Sequence, residues 1–220
     1  EFTKAATPGK IIKRENVMEK QMFHDLKFFD TNKIRSLKVA VDPANGMGAQ
    51  YIEPLFQNID AQLTPINFEL DGTFPAHEAD PLKEENLEQI SKKVTKEKCD
   101  LGIALDGDGD RVFFLDEKGK AIDQSIIRGI LAKIFLRERP GAKICYDIRP
   151  GRITREMIEE NGGVPIVTPV GHSLIKQKTI EEGAYFAGES SGHFFLNMEV
   201  GCFEVPVIII GKILQELSEA

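Results

Sequence analysis

One short pattern occurs twice and sets the frame for the whole chain. Lys38-Val-Ala-Val-Asp42 returns as Lys143-Ile-Cys-Tyr-Asp147. Each copy is a lysine, three strand-forming residues, an aspartate and then a loop carrying proline and glycine. Each leads through a helical stretch to a second strand, at 61–67 in the first copy and 164–168 in the second. Strand, loop, helix and strand in that order make a parallel α/β unit. The repeat distance, about 105 residues, is a domain length and not a solenoid period. The chain is therefore expected to form two similar three-layer α/β domains with mixed, largely parallel sheets, residues 1–138 and 139–220, meeting near Arg137-Glu-Arg-Pro-Gly141. The competing arrangement is one large sheet.

The remaining segments fit this scheme. Val17, Met22, Phe23, Leu26 and Phe29 fall in rough helical register, which predicts that roughly the first 35 residues are helical and amphipathic. Residues 51–57, 82–98 and 122–136 have helical spacing. Residues 100–105 and 112–115 are buried-type strands on either side of a Gly/Asp loop, and 71–81 is turn-rich.

Composition narrows the function classes. Hydrophobic residues make up 41% of the chain, enough to bury a core, and the net charge of −7 disfavours a nucleic-acid partner. Cys99, Cys145 and Cys202 lie far apart, so neither a zinc spacing nor a disulfide framework is expected, and a reduced cytoplasm is the default location. The longest apolar run, Val205 to Ile210, is too short to span a bilayer, so no membrane association is expected. The chain opens on Glu1, not Met, and is expected to be an excised portion of a longer protein.

The sharpest chemical signal is Asp106-Gly-Asp108-Gly-Asp110-Arg111 between two apolar strands. Carboxylates at alternate positions of an extended segment point the same way, and the intervening glycines let the backbone curl. Like charges this close repel unless a cation neutralises them, and a few hard oxygen ligands suit Mg²⁺. Arg111 is placed to hold a phosphate by paired hydrogen bonds. Three rival readings exist. An EF-hand also begins D-x-D-x-D, but Arg111 stands where that loop needs glycine. A phosphatase of the haloacid dehalogenase type would use Asp106 as nucleophile. A solvated acidic turn would not explain the strict alternation.

Two further loops carry polar chemistry. In Gly188-Glu-Ser-Ser-Gly-His193, Glu189, Ser191 and His193 alternate, so an acceptor, a hydroxyl and an imidazole share one side, as a polyhydroxyl ligand requires. Val170-Gly-His172-Ser173 precedes a helix, where backbone N–H groups favour an anion. Arg149 follows the strand ending at Asp147, the end of an α/β sheet where ligands bind. Each has a plain alternative: a polar turn, an ordinary helix-start residue, a surface arginine. Gly46-Met-Gly48 lacks the third glycine of a dinucleotide fingerprint and reads as a structural turn, as does Asp71-Gly-Thr-Phe-Pro75.

Taken together these residues resemble the α-D-phosphohexomutase family, in particular its phosphomannomutase/phosphoglucomutase branch. The matching segments, in order, are Asp42-Pro-Ala-Asn-Gly46, Asp106-Gly-Asp-Gly-Asp-Arg111, Gly171-His-Ser-Leu-Ile-Lys176 and Gly188-Glu-Ser-Ser-Gly-His193. The family has four domains around one cleft, and the resemblance places this chain on the second and third. It implies that Asp106, Asp108 and Asp110 hold Mg²⁺ and that Arg111 lies beside the transferring phosphate. It further implies that Glu189 and Ser191 grip sugar hydroxyls, that His193 lines that loop, and that Arg149 and His172 serve phosphate. The implied partners are a hexose phosphate, its bisphosphorylated intermediate, and the first and fourth domains of the same parent. The family's phosphoserine segment, of the type Thr-Ala-Ser-His-Asn-Pro, does not occur among these residues, so the chain alone is expected to be inactive as a mutase. Glu204-Val205-Pro206 stands where the family usually shows Asp-Asp-Gly. A metal-dependent phosphatase and a non-catalytic sugar-phosphate-binding protein stay open as alternatives.

Overall fold

The computed structural model describes residues 7, 9–149 and 151–220. The repeat becomes a repeated topology. In the first unit β1 (Leu37–Asp42), α2 (Ala49–Phe56), β2 (Ala61–Pro65), α3 (Glu88–Glu97), β3 (Leu101–Leu105) and β4 (Val112–Leu115) build a sheet of order β2-β1-β3-β4. In the second, β5 (Lys143–Asp147), α5 (Arg152–Glu160), β6 (Val164–Thr168), α6 (His172–Glu182), β7 (Phe186–Gly188), β8 (Phe194–Met198) and β9 (Gly201–Glu204) give the order β6-β5-β7-β8-β9. In both, the first strand sits between two parallel neighbours and the next strand along runs antiparallel. The second unit adds one more antiparallel strand. The single-sheet alternative is excluded, since the strands form two sheets.

The repeated residues have repeated jobs. Lys38 and Lys143 lie at the start of the central strands, and each donates its ammonium to a carbonyl at the end of the helix that leads into the neighbouring parallel strand: Lys38 Nζ to Glu97 O at 2.7 Å, Lys143 Nζ to Glu182 O at 3.0 Å. Asp42 and Asp147 close the same strands, and both are buried. Their carboxylates organise the loops that follow.

Strand alternation divides the side chains between the two faces of each sheet. Val39, Val41, Ile103, Phe114, Ile144, Tyr146, Phe186 and Phe194 face one continuous core shared by both units. Their strand neighbours face smaller, separate cores, Ala40 and Ala104 under α3, and Cys145 and Ala187 under α6. Two helices close the shared core. These are α4 (Gln124–Glu138), which packs chiefly on α5 and also on α7, and α7 (Pro206–Glu219), which returns from the second unit to α1 (Val17–Asp25), α2 and the 3-10 turns after α1. The apolar run 205–210 is the start of α7. Val207, Ile208, Ile209 and Ile210 are buried on every side because α7 is surrounded by helices.

Sequence and structure part company in the first 35 residues. The helix there is only Val17–Asp25, followed by short 3-10 turns at Leu26–Phe28 and Thr31–Lys33. Asn16 is left-handed at φ 59° and Phe29 is extended at φ −146°, so neither can continue a helix. Val17 and Phe23 are exposed, while Met22 and Phe29 are buried. The stretch expected as a helix at 82–98 starts as a 3-10 turn, Glu84–Leu87, before α3. Among the described residues no helix is long and apolar enough to cross a membrane.

Candidate active site

The loops at the carboxyl ends of the strands meet where the units touch. Leu105 ends β3 and Val112 starts β4, so residues 106–111 form the connection between them. Asp106, only 3% exposed, fixes that loop from inside. Its Oδ1 accepts from Gly109 N and Arg111 N, both at 3.1 Å, and its Oδ2 from Arg111 Nε at 2.5 Å. One oxygen from each of Asp106, Asp108 and Asp110 lies within 4.8 Å of the others. Burial first, and then the charges of Asp106 and Asp110, push the Asp108 carboxyl up. Arg111 and His193 offset part of the charge of Asp106 and Asp110, and three carboxylate oxygens this close suit a hard divalent cation.

The Gly46-Met-Gly48 turn has a positioning role beyond that of a simple connection. Met47 N donates to Gly107 O at 2.9 Å, and Tyr51 Oη to Gly109 O at 2.7 Å. Burial, reinforced by the neighbouring aspartates, drives the Tyr51 phenol well up, so it remains a donor. Gly109 needs to be glycine, since its φ is +77° and a Cβ there would sit 3.0 Å from Gly48 Cα and 3.1 Å from the Tyr51 ring. Gly109→Ala is expected to cost about 1–3 kcal/mol, read by urea denaturation. An unchanged midpoint would show that the loop relaxes freely.

The second unit's loop locks onto the first. Arg111 and His193 form a β-bridge, and Val112 N donates to Gly192 O at 3.0 Å. Alternation holds in this loop. Ser191 Oγ donates to Glu189 Oε2 at 2.7 Å and lies 2.8 Å from His193 Nδ1. Ser190 points the other way, its Oγ 2.5 Å from Asp147 Oδ2. Gly171 N donates to Glu189 Oε1 at 3.0 Å, which draws in the start of α6. His193 then spans both units, with Nε2 3.3 Å from Asp110 Oδ1 and Nδ1 3.2 Å from Glu189 Oε2. Burial works against a charge on His193, but Asp110 and Glu189 outweigh it and raise its pKa to about 9. Burial likewise opposes the Glu189 charge, yet bonds from His193, Ser191 and Gly171 N hold it down at about 2. At neutral pH the pair is an imidazolium between carboxylates.

All the residues singled out from sequence converge on this junction, but several are engaged with protein. Arg111 directs Nη1 to Asp80 Oδ1 at 3.0 Å in addition to its Asp106 bond. Arg149 Nη2 lies 3.0 Å from Asp147 Oδ2 and 3.7 Å from Glu189 Oε1. His172 Nε2 faces Glu204 Oε1, and its ring lies 5.1 Å from that of His193. Asp80, Tyr51 and Glu204 were not singled out as site residues. Asp80 sits in a turn-rich stretch with no motif, and Glu204 showed only as a departure from the family pattern. Beneath the site lies Arg128 of α4, 1% exposed, paired through Nη1 with Asp147 Oδ1 and donating through Nη2 to Arg149 O at 2.7 Å.

Residues 20–119 match the family model described as phosphoglucomutase/phosphomannomutase, alpha/beta/alpha domain II, and residues 123–202 match domain III of the same family. The chain belongs to the phosphoglucomutase/phosphomannomutase family. It is 41% identical over 192 residues to a phosphomannomutase of Methanocaldococcus jannaschii, covering 87% of this chain and 42% of that one. It is 37% identical to a phosphomannomutase/phosphoglucomutase of Pseudomonas aeruginosa over 86% of this chain and 41% of the relative. The solved structure of a family protein from Burkholderia thailandensis superposes with a TM-score of 0.86 at 32% identity, covering 93% of this chain and 44% of that one. An Aspergillus fumigatus N-acetylphosphoglucosamine mutase, solved with GlcNAc-6P and magnesium, shares the fold at a TM-score of 0.59 and 14% identity, over 93% of this chain and 44% of that one. The chain thus spans less than half the length of these family members.

Proposed function

We propose that this chain is the central portion of a phosphohexomutase that interconverts hexose 1-phosphate and hexose 6-phosphate, with mannose or glucose as the sugar. The observation that carries the reading is the bridge between Arg111 and His193, which joins an all-carboxylate loop and a sugar-type polar loop into one surface. Asp106, Asp108 and Asp110 would hold Mg²⁺, which when bound neutralises charge on phosphoryl oxygens. Arg111 stands beside that loop for the transferring phosphate. Its present bonds to Asp106 and Asp80 aim the guanidinium along the loop. Glu189 and Ser191 would accept sugar hydroxyls, with His193 as a fixed cation between the loops. Arg149 and His172, both at the rim, would meet phosphate. The substrate and its bisphosphorylated form, and the phosphoserine that donates the group, belong to the whole mutase. A cytoplasmic location is part of the same proposal.

We place the divide between the two units ahead of α4, between residues 119 and 123, and not at 138/139. The domain III match begins at residue 123, and α4 packs on α5 of the second unit.

The phosphatase alternative differs in where a covalent phosphate would sit, on Asp106 instead of on a serine outside these residues. The deciding experiment is a Mg²⁺ titration of the chain against Asp108→Asn, followed by titration with glucose 1-phosphate and mannose 1-phosphate, read by NMR. Asp108→Asn should weaken Mg²⁺ binding by about tenfold or more, and the sugar phosphates should shift resonances of residues 188–193 only in the wild-type chain with Mg²⁺. Equal Mg²⁺ affinity in the two proteins would remove the metal assignment, and no shift at 188–193 would remove the sugar-phosphate reading.

A further inference from the structure

A second group of ligand atoms lies beside the aspartate loop and differs from it in chemistry. One ligand atom from each of Asp110, His172 and Glu204 lies within 4.8 Å of the others. The residues come from three segments: the β3–β4 loop of the first unit, the first turn of α6, and the last position of β9. Each is partly exposed, so an ion can enter. Both carboxylates are braced from behind, Asp110 by His193 Nε2 at 3.3 Å and Glu204 Oε2 by Lys176 Nζ at 3.8 Å. Support of this kind orients metal ligands and holds them in place.

We propose that Asp110, His172 and Glu204 form a second divalent-cation site, selective for a borderline ion such as Zn²⁺ over Mg²⁺. An imidazole with two carboxylates is the donor set of zinc and its neighbours, whereas Mg²⁺ takes oxygen ligands alone. Three protein ligands leave a fourth position open to water or to a ligand oxygen. Binding draws His172 and Glu204 apart from their present pairing and onto the ion, a shift of side chains only, since His172 is at the exposed start of its helix. The site shares Asp110 with the aspartate loop, so the two ions compete for one carboxylate while depending on different partners for the rest. The inference does not rest on the hexose phosphate reading, because its ligands are set by geometry alone.

The test is titration of the metal-free chain with Zn²⁺ against a chromophoric chelator, for wild type, Glu204→Gln, His172→Ala and Asp108→Asn. Zn²⁺ affinity is expected to fall about tenfold or more in Glu204→Gln and in His172→Ala, and to persist in Asp108→Asn. Mg²⁺ affinity is expected to show the reverse order. Co²⁺ in place of Zn²⁺ should give a spectrum without a thiolate charge-transfer band, because Cys99, Cys145 and Cys202 are buried. Zn²⁺ affinity unchanged by Glu204→Gln and His172→Ala, affinity lost in Asp108→Asn, or a thiolate band would each overturn the proposal. Loss of Mg²⁺ binding in Asp108→Asn is a separate outcome that bears only on the aspartate loop.

Discussion

Arg128→Ala is expected to remove about 3–5 kcal/mol of unfolding free energy. At this chain length that lowers Tm by roughly 6–20 °C. Arg128 and Asp147 are both buried, and their contact is the innermost ion pair of the site. Truncating the arginine takes the buried cation from Asp147 Oδ1 and leaves the carboxylate only the half-exposed Arg149 and Ser190, both on Oδ2; losing one partner of a buried pair costs more than the net value of the contact. Arg149 offers the control. It pairs with the other oxygen of the same carboxylate but is half exposed, so Arg149→Ala should cost about 1 kcal/mol or less. Urea denaturation of both variants, followed by circular dichroism, separates them. Similar losses for the two would mean that Asp147 is not held from beneath as described.

The second large effect is a pH dependence centred on His193. Its folded pKa, about 9, lies above its ordinary value of 6.5. Its contribution is therefore fully present below pH 6.5 and is lost as pH rises through 9. Glu189 has the opposite sign, with a folded value of about 2 against 4.5, so its contribution holds above pH 4.5 and is lost as pH falls toward 2. The network stabilises most between pH 4.5 and 6.5. In metal-free protein the wild type should lose about 2–3 kcal/mol more than His193→Gln between pH 6.5 and 9. The comparison matters because burial also pushes Cys202 up to about 11, which weakens both proteins alike in alkali. Parallel curves for the two proteins would show that His193 carries no charge between the loops.

The fold was readable because its signals are periodic. Short apolar runs and the repeated Lys-x-x-x-Asp segment mark the strands of each copy, and β5 and β6 begin and end where the apolar runs do. The two loops were readable because aspartate–glycine and glutamate–serine–histidine alternation leaves little choice of face. What the sequence hid is long-range pairing. Nothing local links Arg111 to Asp80, His172 to Glu204 or Arg128 to Asp147, and each pair depends on separate segments arriving at one place. The run at 205–210 illustrates the same limit. Uniform apolarity signals burial, but only the fold reveals that α7 crosses back to the first unit. The first 35 residues misled because apolar side chains at helical spacing do not outweigh a left-handed Asn16 and an extended Phe29.

The core that runs unbroken beneath both sheets carries a mechanical consequence. A hinge needs a seam of few contacts, and the seam between these halves is filled by the same isoleucines and phenylalanines that hold each half together. Heating should therefore melt the chain in one cooperative step, with calorimetric and van't Hoff enthalpies equal. The carboxylate loop and the Gly188–His193 loop then behave as the two teeth of a single rigid jaw. Their spacing is a constant of the protein, and any closure around a ligand must bring something else toward them.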